Sequence, residues 1–427
     1  MNKLLQQVRI VDPVSGVDRI ADVLLADGAI AAIEENITES PPQTQQQDCR
    51  GCILGPGLVD LYSHNSEPGF EERDTLDSIG QAALAGGFTR LALLPTSQPP
   101  LDNPSVLSFL QNRIPPTPSF HFWGALTCQA AGEEMTELVE LAAAGVVGFA
   151  DGEPLENLGL VRRLLEYAQP LAKPIALWPR DRHLSGEGAM REGAISMRLG
   201  VPGTPVAAET SALAALLECI AETQTPTHIM RVSTARGVEL IRAAKANGLP
   251  VTASTTWMHL LLDSKAIGSY DPNLRLDPPL GNPDDRTALV AAVKSGVLDA
   301  IAIDNTPYTY EEKTVPFAQA PPGAIGWELA LPLLWQELVA DGDWSALELW
   351  RALSTGPALC LGQTPGRVEI QVEIDRPAEL VLFASDRPWE VSSQTLKSRS
   401  TNTPWLGKSI VGRILQTWCA MGNFDNS

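Results

Sequence analysis

Side chains that could take part in chemistry stand at the ends of a series of short apolar runs in this sequence. In chain order, these residues are Tyr62, His64, Thr96, Asp151, Trp178, Arg231, Ser254 and Asp304. The set contains one histidine, two carboxylates and one arginine. Histidine and aspartate could bind a metal ion or act as general bases, whereas arginine suits an anion or an ion pair. The sequence contains no glycine-rich phosphate loop and no serine nucleophile elbow, so it suggests no other active site.

The apolar runs are eight in number, and segments of helical periodicity lie between them. Eight strand-then-helix units predict an α/β fold, a parallel (β/α)8 TIM barrel, whose catalytic groups lie at the carboxyl ends of the strands. The runs are 53–63, 89–95, 120–126, 144–150, 173–179, 227–233, 249–255 and 298–304. The helical segments are 77–87, 135–145, 160–169, 211–223, 235–248 and 285–296.

The two ends of the chain differ from the middle, because they contain short strand-like runs separated by turn residues. We predict that residues 1–52 and 365–427 together form one small β-domain, and that residues 53–364 form the barrel. The run at 366–374 is one of the predicted strands. The polar stretch at 41–48 is predicted to be the tip of a loop.

Acidic residues outnumber basic residues by 51 to 31, which gives the chain a formal net charge of −20. Such a surface repels nucleic acid and anionic lipid, so we expect neither as a partner. The six cysteines are scattered and lack the spacing of a zinc site, so we interpret them as reduced thiols. The sequence shows no apolar segment typical of a membrane span or a secretory leader, and it therefore predicts a cytoplasmic protein.

Four segments closely resemble the dihydroorotase branch of the cyclic amidohydrolases. They lie at 55–104, 228–254, 273–313 and 396–414 and follow the family's order, so the resemblance covers nearly the whole chain. It implies a barrel with a β-domain, as above. It also implies, for typical members, that a zinc-bound hydroxide opens or closes the ring of dihydroorotate.

The resemblance also implies where zinc ligands would stand: an H-x-H pair, an acid or modified lysine, two further histidines and a final aspartate. The matching residues here are Tyr62 and His64, Asp151, Trp178, Arg231 and Asp304. Trp178 offers only an N–H donor, and Arg231 is a permanent cation without a lone pair to share. We therefore expect no zinc, with His64, Asp151 and Asp304 as the only candidates for a single weak ion.

The positions that hold the substrate carboxylate in the family are changed as well. An arginine after the H-x-H pair and an asparagine after the second strand correspond here to Ser66 and Thr96. The family's loop N-P-P-L-R has become D-P-P-L-G, which places Asp277 and Gly281 at its two ends. Because an anion that approaches an acidic protein needs hydrogen-bond donors, we expect this site no longer to serve the family's reaction.

A carboxylate left at a barrel mouth without its metal needs a new counter-charge. We predict that Arg231 supplies it by pairing with Asp304, with Asp151 or with both. A general-base role for Asp304 in some new reaction is an alternative. His64 is equally compatible with a buried residue whose hydrogen bonds are made within the protein and with a metal ligand. The sequence gives little reason to expect a functional role for His259.

Two functions are compatible with these residues. The favoured one is a non-catalytic dihydroorotase homologue that acts as a structural subunit in pyrimidine biosynthesis. By resemblance to inactive family members, its expected partner is aspartate transcarbamoylase. Assembly of this chain into a homo-oligomer is a further possibility. The alternative is a metal-dependent cyclic amidohydrolase that uses one weakly bound ion or a changed substrate.

Overall fold

The computed structural model describes residues 2–368, 378–419 and 422–425 of the 427-residue chain. It contains a nearly closed barrel of eight parallel strands and a second sheet built from both ends of the chain. The predicted α/β fold, with a barrel and a β-rich domain from the termini, is confirmed. The strand predicted at 366–374 lies mostly outside the described residues.

The strands of the described residues follow in chain order. They are β1 (Lys3–Asp12), β2 (Val17–Ala26), β3 (Ala29–Glu34), β4 (Gln45–Asp48), β5 (Cys52–Pro56), β6 (Leu58–Ser63), β7 (Phe88–Leu93), β8 (Ser119–Gly124), β9 (Gly148–Phe149), β10 (Ile175–Leu177), β11 (Met190–Arg191), β12 (Gly203–Thr204), β13 (Thr227–Ile229), β14 (Val251–Thr256), β15 (Ala300–Ala302), β16 (Leu380–Glu390), β17 (Ser409–Cys419) and β18 (Gly422–Asp425).

The α-helices of the same residues lie mostly between the barrel strands. They are α1 (Leu76–Ala85), α2 (Pro104–Gln111), α3 (Leu138–Ala144), α4 (Leu158–Ala168), α5 (Arg182–Ser185), α6 (Ala194–Leu199), α7 (Ala207–Thr223), α8 (Ala235–Ala246), α9 (Trp257–Leu261), α10 (Pro283–Lys294), α11 (Tyr310–Lys313), α12 (Trp327–Leu334), α13 (Ala346–Trp350) and α14 (Gly356–Cys360).

The barrel strands run in the order β6, β7, β8, β9, β10, β13, β14 and β15. Each of the eight predicted runs contributes one of them, and the six predicted helical segments correspond to α1, α3, α4, α7, α8 and α10. Backbone hydrogen bonds bring the last strand back to the first, since the Asp304 N–H donates to the Tyr62 carbonyl at 3.1 Å. This closure places the ends of β6 and β15 side by side.

The apolar run at 53–63 is divided between the two parts of the molecule. Its first half is β5, which pairs with β16 of the terminal sheet, and its second half is β6 of the barrel. Gly57 stands at the break, where an added Cβ would lie 2.2 Å from Oγ1 of Thr89. No larger residue fits there without moving the neighbouring strand.

The terminal sheet has the order β18, β17, β16, β5, β1, β2 and β3, and β4 also pairs with β1. The prediction of a loop tip at 41–48 was therefore wrong for Gln45–Asp48, which forms β4 parallel to β1. An edge strand of this kind depends on the main-chain groups of its neighbour, and a polar side-chain pattern does not reveal it.

Side chains from both ends of the chain form the core of this sheet, among them Leu5 and Val8 with Leu380 and Trp418. All six cysteines are free thiols in the structure. None of the helices in the described residues is both long and apolar enough to cross a membrane.

Candidate functional site

The carboxyl ends of the barrel strands surround a cavity of about 110 Å³. Five of the predicted site residues line it, namely His64, Trp178, Arg231, Asp277 and Asp304. Tyr62 lies fully buried in the barrel interior. Ser66, Thr96 and Asp151 do not line the cavity.

Arg231 and Asp304 form a bidentate ion pair in this cavity. The Arg231 Nε–H donates to Oδ2 of Asp304 at 2.8 Å, and the Nη2–H donates to Oδ1 at 2.7 Å. The side chain of Arg231 is only 3% exposed and that of Asp304 is 13% exposed. Two parallel N–H···O bonds at this largely buried position give a pair of fixed geometry.

The remaining surroundings of Arg231 hold its guanidinium in place. Nη1 donates to the Gly152 carbonyl at 2.9 Å, and Nη2 lies 3.3 Å from Nε2 of His64. The guanidinium carbon lies 4.5 Å from the ring centre of Trp178, within the range of a cation–π contact. Burial lowers the pKa of Arg231, but the charge and hydrogen bonds of Asp304 outweigh it and raise that pKa above its ordinary value.

Both partners of the ion pair have left-handed backbones, with φ of 54° at Arg231 and 53° at Asp304. A residue other than glycine in this region costs about 1–3 kcal/mol, so the surrounding structure must hold it there. These residues follow β13 and β15, at the positions where the sequence analysis places catalytic groups. The strained backbone thus directs both side chains to one point.

Tyr62 belongs to a continuous hydrogen-bond chain below the ion pair. Its hydroxyl accepts from the Arg231 N–H at 3.0 Å and lies 2.9 Å from Oγ of Ser254, in a hydrogen bond that either hydroxyl can donate. Ser254 in turn reaches Nε2 of His228 at 2.8 Å, and Nδ1 of His228 lies 2.9 Å from Oγ1 of Thr252. Burial lowers the pKa of His228 to about 3. The phenol is thus committed to this network.

His64 is neutral at physiological pH. Burial is the main cause that lowers its pKa to about 4, and the charge of Arg231 adds to that effect against the opposing charge of Asp304. Since Nη2 of Arg231 can only donate, Nε2 of His64 accepts and Nδ1 carries the hydrogen. His64 therefore supports the ion pair as an acceptor.

Of the two partners that the prediction allowed for Arg231, the structure shows Asp304 and not Asp151. Its Oδ1 accepts from the backbone N–H groups of Leu126 and Thr127 at 2.7 and 3.0 Å, and its Oδ2 accepts from the Thr127 hydroxyl. Burial raises the pKa of Asp151 to about 6 although these bonds oppose it. The carboxylate finds its partners in the loop after β8 and needs no counter-charge from Arg231.

The predicted substrate positions contain no free cation. Thr96 exchanges hydrogen bonds with the backbone of Asn65, and Asp277 pairs with Arg180. At Gly281, an added Cβ would lie 2.6 Å from Cβ of Asp285, so an arginine does not fit there without rearrangement.

The donor set does not fit zinc. A zinc ligand must offer a lone pair, and Trp178 and Arg231 cannot. Within 2–368, 378–419 and 422–425, no three His, Cys, Asp or Glu side chains are grouped so that they could hold a metal ion. The candidates His64, Asp151 and Asp304 are thus not brought together, and the Arg231 guanidinium lies where a cation would have to approach Asp304.

Several cavity residues were missed by the sequence analysis. Arg180 does not itself line the cavity but pairs with the lining residue Asp277. It follows Trp178 by two positions and lies 5.3 Å from its ring centre, so a wider window after that strand would have included it. His259 was given too little weight, since it lines the cavity and lies 2.7 Å from Oγ1 of Thr256. The other lining residues not predicted include Glu153, Trp257, Met258, Leu276, Thr306 and Tyr308.

Comparison with known proteins gives consistent matches. A family model described as "Dihydro-orotase-like" matches residues 51–235. The chain is 43% identical to a "Probable dihydroorotase-like protein" of Synechocystis sp., over 96% of this chain and 98% of that protein. It is 36% identical to a "Dihydroorotase" of Pelobacter propionicus, over 98% of each chain.

Solved structures of similar fold include two hydantoinases. An L-hydantoinase of Arthrobacter aurescens matches with a TM-score of 0.81 and 20% identity, over 97% of this chain and 94% of the other. A D-hydantoinase of Thermus sp. matches with a TM-score of 0.81 and 22% identity, over 100% and 96% of the two chains. At these identities the likeness concerns the fold alone.

Proposed function

Because the chain belongs to the dihydroorotase-like family of cyclic amidohydrolases, we propose that it is a non-catalytic member that acts as a structural subunit in pyrimidine biosynthesis. The observation that carries this proposal is the buried ion pair between Arg231 and Asp304. It joins the aspartate after the last strand to a cation at a position where the resemblance implies a histidine ligand. The residue that would hold metal and move a proton is thereby neutralised.

Metal chemistry is disfavoured at this pair on electrostatic grounds. A divalent cation placed close to the guanidinium would be repelled by on the order of several kcal/mol, even with the effective dielectric of a protein interior. Release of Asp304 from Arg231 would also leave a buried cation without its partner. Both effects support a site from which the hydroxide-generating metal has been lost.

The substrate side supports the same proposal. Arg180 is committed to Asp277, and Ser66 and Thr96 offer no positive charge at positions where the resemblance implies carboxylate-binding residues. Dihydroorotate and carbamoyl aspartate are both anions, and each would need a cation to bind in this acidic protein.

A structural role explains why the fold is retained while the chemistry is lost. The described residues retain the eight barrel strands and a terminal sheet built from both ends of the chain, so the chain can present rigid surfaces to a partner. By family resemblance the proposed partner is aspartate transcarbamoylase, whose trimers such subunits could hold in a larger symmetric complex.

A turnover assay tests the loss of catalysis. We expect the purified protein, supplied with zinc, neither to hydrolyse dihydroorotate nor to cyclise carbamoyl aspartate faster than a chelator-treated sample. The double variant Trp178→His, Arg231→His should remain inactive. Ser66 and Thr96 would still stand in place of the arginine and asparagine that the resemblance implies for binding the substrate carboxylate. Turnover by the unmodified protein above the chelated control would contradict the proposal.

Co-expression with aspartate transcarbamoylase followed by size-exclusion chromatography tests the structural role. We expect the two proteins to elute together in one complex larger than either alone. Separate elution at micromolar concentration, with transcarbamoylase assembly and activity unchanged by loss of this chain, would contradict it. Elution of this chain as a homo-oligomer alone would also count against the proposed partner.

A further inference from the structure

One close pair of cysteines, Cys49 and Cys52, belongs neither to the barrel mouth nor to the proposed function. The two residues begin and end the tight turn that joins β4 to β5, and the Cys52 N–H donates to the Cys49 carbonyl at 2.9 Å. Gly51, the third residue of this turn, has a φ of 80°, which a type II turn requires at that position. The turn therefore brings two free thiols together.

The pairing of β4 and β5 with β1 explains why the turn is there. Lys3 of β1 pairs with Gln45 of β4, an offset of 42 residues. Arg9 of β1 pairs with Ile53 of β5, an offset of 44 residues. Two residues therefore do not fit into the parallel ladder, and residues 50–51 form an exposed turn tip between the two cysteines.

The distance between the two cysteines suits a disulfide. The Cα atoms at the ends of a β-turn lie less than about 7 Å apart, and a disulfide joins Cα atoms about 4.4–6.8 Å apart. Both side chains pack on the same apolar core of the terminal sheet. The pKa of the Cys49 thiol is raised to about 12, mainly by burial and next by the neighbouring Cys52, as expected for two adjacent sulfur atoms.

The two thiols differ in their access to solvent. Cys49 has no exposed surface, whereas Cys52 is only partly buried. An external oxidant can therefore reach Cys52 first. Burial raises the pKa of both thiols, so that few thiolates exist at neutral pH and the reaction should be slow there.

We propose that Cys49 and Cys52 form a site of reversible oxidation, at which a low-molecular-weight disulfide such as glutathione disulfide converts the two thiols into one intrachain disulfide. The Cys52 thiolate attacks one sulfur of the oxidant, forms a mixed disulfide and expels a thiolate. The Cys49 thiolate then attacks the Cys52 sulfur, forms the intrachain bond and expels a second thiolate. Two protein thiols are oxidised, one disulfide is reduced, and the two protons pass to the expelled thiolates.

The intrachain bond would close the turn and tie β4 directly to β5, beside their common neighbour β1. This site lies in the terminal sheet, and the proposal is independent of the loss of catalysis at the barrel mouth and of any partner.

Mass spectrometry of tryptic peptides tests the proposal, because cleavage after Arg50 separates the two cysteines. The full chain is incubated with millimolar glutathione disulfide at pH 8, quenched with acid, and alkylated in denaturant before digestion. We expect residues 20–73 to stay together as one unalkylated species, which separates into peptides 20–50 and 51–73 after treatment with excess reduced glutathione. Alkylation of both cysteines, glutathione adducts alone, or a link to any other cysteine would overturn the proposal.

Single replacements test the order of the two steps. Cys49→Ala should leave a glutathione adduct on Cys52, because the second thiol is missing. Cys52→Ala should leave Cys49 unmodified, because the buried thiol does not meet the oxidant. Cys219→Ala, which removes a partly buried thiol of α7, is the matched control and should form the link as the unmodified protein does. An adduct on Cys49 in the Cys52→Ala variant, or no adduct in the Cys49→Ala variant, would refute the assigned order.

The rate of oxidation provides a second test. Since the pKa of each thiol lies above its ordinary value of 9.0, the thiolate fraction grows about tenfold from pH 7 to pH 8. We expect the rate at which the link forms to rise by the same factor. An equal rate at the two pH values would contradict attack by the Cys52 thiolate.

Discussion

At the end of β13, the guanidinium of Arg231 lies between His64 and Asp304, within hydrogen-bond distance of both. A histidine at this position could share a lone pair with a metal, whereas arginine can only donate. The change of one side chain thus turns the aspartate after β15 from a free base into half of an ion pair. The sequence predicted this pairing because a permanent cation and a carboxylate follow strands that open onto the same mouth.

We expect Arg231→Ala to lower the free energy of unfolding by about 3–5 kcal/mol, because it leaves the buried carboxylate of Asp304 without its partner. Alanine gives no relief of backbone strain, since φ at this position is 54°. Urea denaturation measures the effect. The control is Arg182→Ala. The ion pair between Arg182 and Glu153 is about half exposed, so its loss should lower the free energy of unfolding by at most about 1 kcal/mol. Equal small effects in the two variants would show that the pair does not stabilise the fold.

His228 provides a prediction of pH dependence. Burial lowers its pKa from 6.5 to about 3, so the unfolded chain binds a proton more readily between those pH values. The stability that this neutral histidine contributes above pH 6.5 is therefore lost as the pH falls towards 3. Between pH 7 and pH 5, we expect the free energy of unfolding of the unmodified protein to fall by about 2 kcal/mol more than that of the His228→Gln variant.

Denaturant unfolding of both proteins at each pH tests this prediction, because the constant cost of the substitution cancels in the comparison between pH values. Between pH 8 and pH 7 the difference between the two proteins should stay nearly constant. A difference that also stays constant down to pH 5 would mean that the histidine is not held neutral.

At the scale of elements, the eight apolar runs predicted the barrel strands because buried parallel strands need continuous apolar residues on both faces. The division of the first apolar run into β5 and β6 at Gly57 could not be predicted, because the residues before and after this glycine are equally apolar. β4 was also missed, because its pairing with β1 depends on main-chain groups. The partners of Asp151 were missed for a similar reason, since two of its three donors are backbone N–H groups in a loop.

The loop after β13 is held by a carboxylate from α7. Glu209 is buried and accepts from the backbone N–H and hydroxyl groups of both Ser233 and Thr234, and Thr234 in turn caps α8. This attachment fixes the segment that carries Arg231. No sequence pattern indicated this attachment, because a glutamate in an amphipathic helix is usually solvated.

We expect Glu209→Ala to destabilise the protein by about 3 kcal/mol, because several buried donors would lose a charged acceptor. Glu218→Ala on the exposed side of the same helix is the matched control and should change stability by less than about 0.5 kcal/mol. Thermal unfolding of the two variants separates these outcomes. Similar melting temperatures would show that the loop does not depend on Glu209.

At the scale of the whole molecule, the terminal sheet and the barrel are joined by specific contacts. The Gly57 N–H donates to the Glu379 carbonyl at 2.9 Å, and the carboxylate of Glu379 pairs with Arg90 of β7. The Thr417 hydroxyl donates to the Leu84 carbonyl at the end of α1 at 2.8 Å. The sequence indicated that both termini form one β-domain, but contacts between residues 289 and 333 positions apart could not be predicted from local patterns.

An ion pair between Arg231 and Asp304 stands where the family's metal chemistry would take place. Emission spectroscopy of the zinc content tests whether this pair excludes the metal, on protein purified without chelator, equilibrated with excess zinc and then desalted. We predict far less than one zinc per chain, because Trp178 and Arg231 offer no lone pair and Arg231 repels a cation. One or more tightly bound zinc ions per chain would contradict the claim.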